Sequence, residues 1–134
     1  MKLLHRNPSR VAATALALLL TGCASTGFHY SELVGKRYFK TNLDTYPVLI
    51  LSVDGRSFVG VPVQVDAGER SVLLQGPPTT VDLQLTQTMK LDVKPCTRYY
   101  LVAVKQSPLQ NEITPRVDFE EPMPGCTPAP AKQG

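Results

Sequence analysis

An all-β domain, built as a small antiparallel β-sandwich of about seven strands, is what the sequence predicts, on three observations. First, Thr80 to Lys94 alternates. Val81, Leu83, Leu85, Met89, Leu91 and Val93 fall on one face, interrupted only by Gln87. Asp82, Gln84, Thr86, Thr88, Lys90, Asp92 and Lys94 fall on the other. Such a period suits strands with one face on a core and one in water. Second, turn-forming pairs recur at Asp54-Gly55, Ala67-Gly68 and Gly76-Pro77, at intervals of roughly 8–12 residues. Third, no stretch carries a 3.6-residue apolar period for the ten or so residues that a stable helix needs.

Each element follows from local chemistry. Lys36-Arg37-Tyr38-Phe39-Lys40 interleaves cations and aromatics and reads as a first strand with a solvated charged face. Tyr46 to Val53 is a compact apolar run rich in β-branched residues, and Asp54-Gly55 closes it with a hairpin signal. Ser57 to Val65 follows, with Pro62 placing it at an edge or bulge. Glu69 to Gln75 is next, ended by Gly76-Pro77-Pro78. The alternating run of 15 residues is long for one strand, so a break is expected near Gln87-Thr88. Pro95 ends it. Thr97 to Val104 is a further strand in which Tyr99 and Tyr100 point to opposite faces, so one ring enters the core. Ile113 to Phe119 is the last. Thr127 to Gly134 is rich in Pro and Ala and reads as a disordered tail.

The N-terminus has a different build. Lys2, Arg6 and Arg10 form a basic head, followed by an apolar run from Val11 to Leu20. Ten residues at helical rise cover about 15 Å, against the roughly 30 Å of a bilayer core, so the segment reads as a secretory signal peptide and not as a span. It ends on Leu20-Thr21-Gly22-Cys23, which resembles the lipobox of bacterial lipoproteins. The resemblance implies cleavage before Cys23, a diacylglycerol thioether on its sulfur and an acyl group on its amine. Two or more acyl groups anchor a protein stably. Ala24 stands where an aspartate often marks inner-membrane retention, so the pattern resembles that of outer-membrane lipoproteins. The organisation expected is a signal peptide over 1–22, a lipidated cysteine and flexible tether over 23–35, a β-sandwich over 36–126 and a tail over 127–134.

Processing changes the composition. The segment lost holds three of the 14 basic residues and none of the 11 acidic ones, so the remaining 112 residues are formally neutral. No basic balance remains to suggest nucleic acid. Of three cysteines, Cys96 and Cys126 remain as an even pair in an oxidising compartment, and a disulfide between them is the natural reading.

Val53-Asp54-Gly55, Gly60, Pro62 and Ala67-Gly68-Glu69-Arg70 are similar to the pattern of PEGA-type domains. Arg70-Ser71-Val72 replaces that family's usual histidine after the glycine turn. Lys94-Pro95-Cys96 with the Tyr99-Tyr100 strand and Pro124-Gly125-Cys126 resembles small Gram-negative envelope lipoproteins of unassigned function. The resemblance implies a β-sandwich of the cell envelope and carries over no catalytic residue.

Reactive constellations are sparse. His29 is the one histidine outside the signal segment and falls in the expected tether, away from the packed surroundings that a catalytic imidazole needs. No clustered Cys and His suggest a transition-metal site, no acidic spacing suggests an EF-hand and no cofactor is expected. Asp118, Glu120 and Glu121 are the one dense acidic cluster, read as a solvated run. Lys36, Arg37 and Lys40 are candidate surface contacts toward anionic head groups or glycan. The function expected is a non-enzymatic structural or protein-interaction module of the cell envelope, anchored by lipid to the outer membrane and facing the periplasm. The alternative is a receptor or inhibitor lipoprotein for a small ligand, a glycan or a foreign hydrolase. An apolar cleft would favour it and a flat, filled sandwich would count against it.

Overall fold

The computed structural model describes residues 27–79 and 85–130. The expected signal peptide, Cys23, Val81 and Leu83 of the alternating run, and residues 131–134 of the tail lie outside the described residues. Two sheets face each other across one core. The first holds β1 (Ser31–Val34), β2 (Thr45–Pro47), β5 (Val63–Val65), β8 (Thr97–Val104) and β9 (Thr114–Pro122). The second holds β3 (Leu49–Val53), β4 (Arg56–Ser57), β6 (Gly68–Gln75) and β7 (Thr86–Val93), in the order β4-β3-β6-β7. The sandwich class is as expected. Nine strands form among the described residues because two expected strands each divide between the sheets.

β8 is the spine of the first sheet. β9 runs antiparallel along one side of it. The other side is shared by β1, parallel to Arg98–Tyr100, and β2, antiparallel to Val102–Val104. β5 then pairs with β1. The β1–β8 pair is thus one parallel pairing in an otherwise antiparallel fold.

The run from Tyr46 to Val53 divides at Val48, where the backbone passes from the first sheet to the second. The run from Ser57 to Val65 divides likewise: β4 closes the Asp54-Gly55 hairpin, and the backbone then crosses over 58–62 to β5. Asp54 and Gly55 have φ of 49° and 76°, the two positive values of a type I′ turn, so the hairpin signal is realised. The alternation is realised too. Leu85, Leu91 and Val93 are buried and Met89 packs on the core, while Thr86, Thr88, Lys90 and Asp92 are exposed. The break expected near Gln87-Thr88 does not occur. β7 is an edge strand, so Gln87 reaches water without interrupting the ladder to β6.

Two further expectations are corrected. Residues 31–34, read as tether, form β1: Leu33 is fully buried, and the polar residues beside it are satisfied. Ser31 Oγ donates to the Lys94 carbonyl (2.7 Å) and accepts the Thr97 N–H (3.0 Å). Glu32 takes a hydrogen bond from Arg98 Nε (2.8 Å). Residues 36–40, read as a first strand, pair with no strand and form a loop. The tail is tied at its start, where Thr127 N–H donates to the Phe28 carbonyl (3.0 Å).

The core is aliphatic around one ring. Tyr99, Leu101 and Ala103 of β8 meet Leu33, Val63 and Val65 on their own sheet and Val72, Leu74, Leu91 and Val93 opposite. Tyr99 enters the core and Tyr100 takes the outer face, as the alternation predicts. The Tyr99 hydroxyl accepts the Lys94 N–H (2.9 Å), which satisfies its polar end. Cys96 and Cys126 form a disulfide with Cα atoms 5.5 Å apart. It joins the β7–β8 turn to the segment after β9.

With a sequence separation of 30, loss of this link is expected to cost roughly 3.5–4 kcal/mol in the chain-entropy account. Denaturant unfolding of the oxidised protein against the Cys96→Ser, Cys126→Ser double variant checks it. Gly35→Ala is expected to destabilise by about 1–3 kcal/mol, read from the same curves, because a Cβ there would lie 1.9 Å from the Val48 carbonyl oxygen.

Candidate functional site

An apolar groove follows from the division at Val48. β3 begins there, and β4 pairs only with its last two residues, Ser52 and Val53. Beyond Ser57 the backbone bends away toward β5. A groove of about 320 Å³ opens between β3 and this crossing segment. Leu49, Ile50 and Leu51 form one wall, and Phe58 and Val61 the other. Gly35, Val48 and Val63 complete it on the side of the first sheet. Leu49 and Val61 are 61% and 66% exposed. Lys36 is the one charged residue of the lining.

A second, smaller cleft of about 150 Å³ holds Asp54, Arg56, Asp66 and Arg70. Two of its charges, Asp54 and Arg70, serve the turns. Arg70 donates to Asp54 Oδ2 (3.1 Å) and to the carbonyls of Asp66 (2.9 Å) and Ala67 (2.8 Å). Asp54 also accepts the Ser71 N–H (2.8 Å), and that bond, with Arg70, holds its carboxyl below the ordinary range.

The three cations read as surface contacts are not brought together. Lys36 lines the groove. Arg37 turns back and donates to the Thr45 carbonyl (3.4 Å). Lys40 stands exposed in the turn beyond. The aromatics between them lie on the outer face of the first sheet. Tyr38 stacks on Phe119 with ring centroids 3.9 Å apart, and meets Phe39 and Tyr100 edge-on at 5.1 Å. Asp118 accepts the N–H groups of Tyr38 (2.7 Å) and Phe39 (3.0 Å). β9 shifts register between the partners of Tyr100 and Leu101, which leaves Asp118 as the extra, bulged residue that points at this loop.

The acidic cluster is dispersed in the same way. Asp118 caps the loop, Glu120 pairs with Lys94, and Glu121 takes bonds from Arg98 (3.3 Å) and Tyr100 (3.0 Å). Arg98 bridges Glu32 and Glu121, and Glu32 does most to hold its guanidinium charged. His29 is exposed, with Nδ1 2.7 Å from the Thr127 carbonyl, which makes it a brace between the two ends of the domain and not a free linker residue. Among the described residues no group of three or more His, Cys, Asp or Glu is placed to hold a metal ion.

Leu49, Ile50, Leu51, Phe58 and Val61 do not stand out in the pattern of the sequence. They sit in runs that read as unbroken strands, and only the division of both runs opens a groove between them. Gly60 and Pro62 beside Val61 are the available signal, since both interrupt a strand.

Comparison with family models, with curated proteins and with solved structures finds no match to this protein.

Burial, and after it the hydrogen bond and charge of Glu121, push the Tyr100 phenol above the ordinary tyrosine value. A raised folded-state value means that the stabilisation is complete below the unfolded value of about 10 and is lost as pH rises through the folded one. Alkaline titration by ultraviolet absorbance is expected to show a late phenol that Tyr100→Phe removes. Over the same range the wild type is expected to lose unfolding free energy relative to that variant.

Proposed function

We propose that this protein is a non-enzymatic lipoprotein of the outer membrane, anchored through acyl groups on Cys23, whose sandwich faces the periplasm and binds a protein of the cell envelope. The observation that carries the binding role is the apolar groove beside the incompletely covered edge of β3. A groove of exposed Leu and Val with one cation at its margin suits recognition and offers no acid–base pair. The acids that cluster in sequence are each committed to structural bonds, which supports the non-enzymatic reading.

The anchor rests on the head, apolar run and Leu20-Thr21-Gly22-Cys23 of the sequence. The Cys96–Cys126 disulfide accords with an oxidising compartment. The PEGA-like reading is supported by the positive-φ Asp54-Gly55 turn, which falls where that pattern places its turn. Covalent geometry adds a constraint. Phe28 is held by Thr127, and four residue steps separate Cys23 from Gly27, about 14 Å at full extension. The end of the sandwich that carries Phe28, Cys96 and Cys126 is therefore the end nearest the bilayer. β1 leads away from it and delivers Gly35 to the groove.

A receptor or inhibitor role is the second reading, and the same groove favours it. The two differ in occupant: a segment of a resident envelope protein in the first, a free ligand, glycan or foreign hydrolase in the second.

Mass spectrometry of the purified protein is expected to show a triacylated Cys23 at the N-terminus, and Cys23→Ser is expected to move the protein from the outer-membrane to the soluble fraction. A photo-crosslinking residue at Val61 is expected to capture one envelope protein in cells. The same residue at Leu109, which is 86% exposed and away from the groove, is expected to capture none. An unmodified Cys23 would overturn the anchor, and equal, scattered capture at both positions would overturn the dedicated partner.

A further inference from the structure

We propose that the groove receives an extended segment of the partner protein, which adds to the second sheet as a strand along the Leu49–Leu51 edge of β3 and sets a carboxylate against Lys36. The proposal rests on the interaction-module reading and specifies its binding mode.

The sheet edges are not treated alike: β2 and β4 are only three and two residues long. β7 is flanked on its solvent face by Thr86, Thr88, Lys90 and Asp92, whose polarity discourages another strand. β9 carries a bulge at Asp118, and its outer face is braced by the loop that holds Tyr38 and Phe39. β5 is three residues long and follows Pro62. β3 has its partner β4 at Ser52 and Val53 only. From Leu49 to Leu51 its outer edge has no ladder partner among the described residues, its side chains are Leu-Ile-Leu, and Leu51 is a bulged residue in its ladder to β6, so Leu49 and Ile50 keep regular register. Natural sheets blunt such edges with charge, proline or a cover. Here an apolar groove runs beside one instead.

An extended peptide fits both features together. Its backbone would pair with β3, and alternate side chains would enter the groove between β3 and the crossing segment of Phe58 and Val61. Three residues of strand span about 10 Å, so a short segment suffices. A lipid tail or small apolar ligand would use the groove and leave the edge unpaired. Such ligands also favour sites that bury most of their surface, whereas this one has 61% of Leu49 exposed. Lys36, alone in charge among the lining residues, sets the sign of the partner. The carboxylate comes from an Asp or Glu side chain or from the free carboxyl end of a polypeptide. A second copy of this protein would bring another Lys36 in place of an acid.

The test uses the full lipidated protein in nanodiscs, panned with displayed linear random peptides after depletion on empty nanodiscs. Enriched peptides are expected to alternate apolar and polar residues around one carboxylate. Synthetic versions N-methylated at alternate residues are expected to bind about tenfold or more weakly, since they keep their side chains and lose edge hydrogen bonds. Lys36→Glu is expected to reverse the charge preference. Amidation of the peptide's carboxyl end separates the two carboxylate sources: loss of binding assigns the terminal carboxylate, and retained binding an acidic side chain. Equal affinity of N-methylated peptides would overturn strand addition. So would enrichment of helical patterns, dodecanoate binding that excludes every peptide, concentration-dependent dimerisation abolished by Leu49→Lys, or no enrichment at all. Capture at Val61 in cells is independent of these outcomes. If it persists while the peptides fail, the interaction module stands and its binding mode falls.

Discussion

The architecture depends on the close approach of Gly35 to Val48. β1 ends at the first and the backbone changes sheets at the second, so the two points at which it leaves the first sheet are in contact. The Val48 N–H donates to the Gly35 carbonyl (3.0 Å), and the reverse face is so tight that any Cβ on Gly35 would lie 1.9 Å from the Val48 oxygen. Only glycine fits a backbone against a backbone in this way. The groove, the start of β3 and the release of the loop after Gly35 all originate at that contact.

From there the backbone does opposite things on two sides. After Gly35 it lies over the outer face of the first sheet, where Asp118 captures two N–H groups and four aromatic rings pack in mutual contact. Beneath them Glu32, Arg98, Glu121 and Tyr100 form a half-buried polar network across β1, β8 and β9. The buried Glu32 is tolerable because Arg98 meets it directly, since an unpaired charge there would bear its desolvation alone. This side of the molecule is thereby occupied by its own residues. After Val48, by contrast, β3 proceeds with one edge only partly covered. The candidate site is the side on which internal pairing stops short.

What can be read from the sequence is what depends on local period and turn chemistry. The alternation of Leu85 to Val93, the positive-φ Asp54-Gly55 turn and the opposed faces of Tyr99 and Tyr100 are properties of adjacent residues. β1 is illegible because its polar residues are made acceptable by partners more than sixty positions away: Lys94 and Thr97 for Ser31, Arg98 for Glu32. The loop over 36–40 reads falsely as a strand for the same reason, since Asp118 lies about eighty residues from the N–H groups that it binds. The exposure of Lys36 is legible, and its groove is not. A groove needs two runs to divide at particular residues, and an unbroken apolar run looks the same whether it stays in one sheet or crosses between two.

The two ends of the sandwich have separate work. At one, the disulfide, the Thr127–Phe28 pair and the His29 bond to Thr127 fasten the start of the fold to its end. Any pull transmitted through an anchor at Cys23 enters at Phe28. There it meets a covalent link one residue from Thr127, and not the frayed tip of a strand. Peeling β1 from that point would require breaking its ladders to β5 and β8 and exposing Leu33. An anchor at Cys23 would thus pull on a terminus that the disulfide, the Thr127–Phe28 pair and His29 reinforce. The groove lies at the far end of β1, beyond that reinforcement. A partner seated there would load the fold through β3 and the Gly35–Val48 contact, and the force would pass along β1 to the disulfide-braced end.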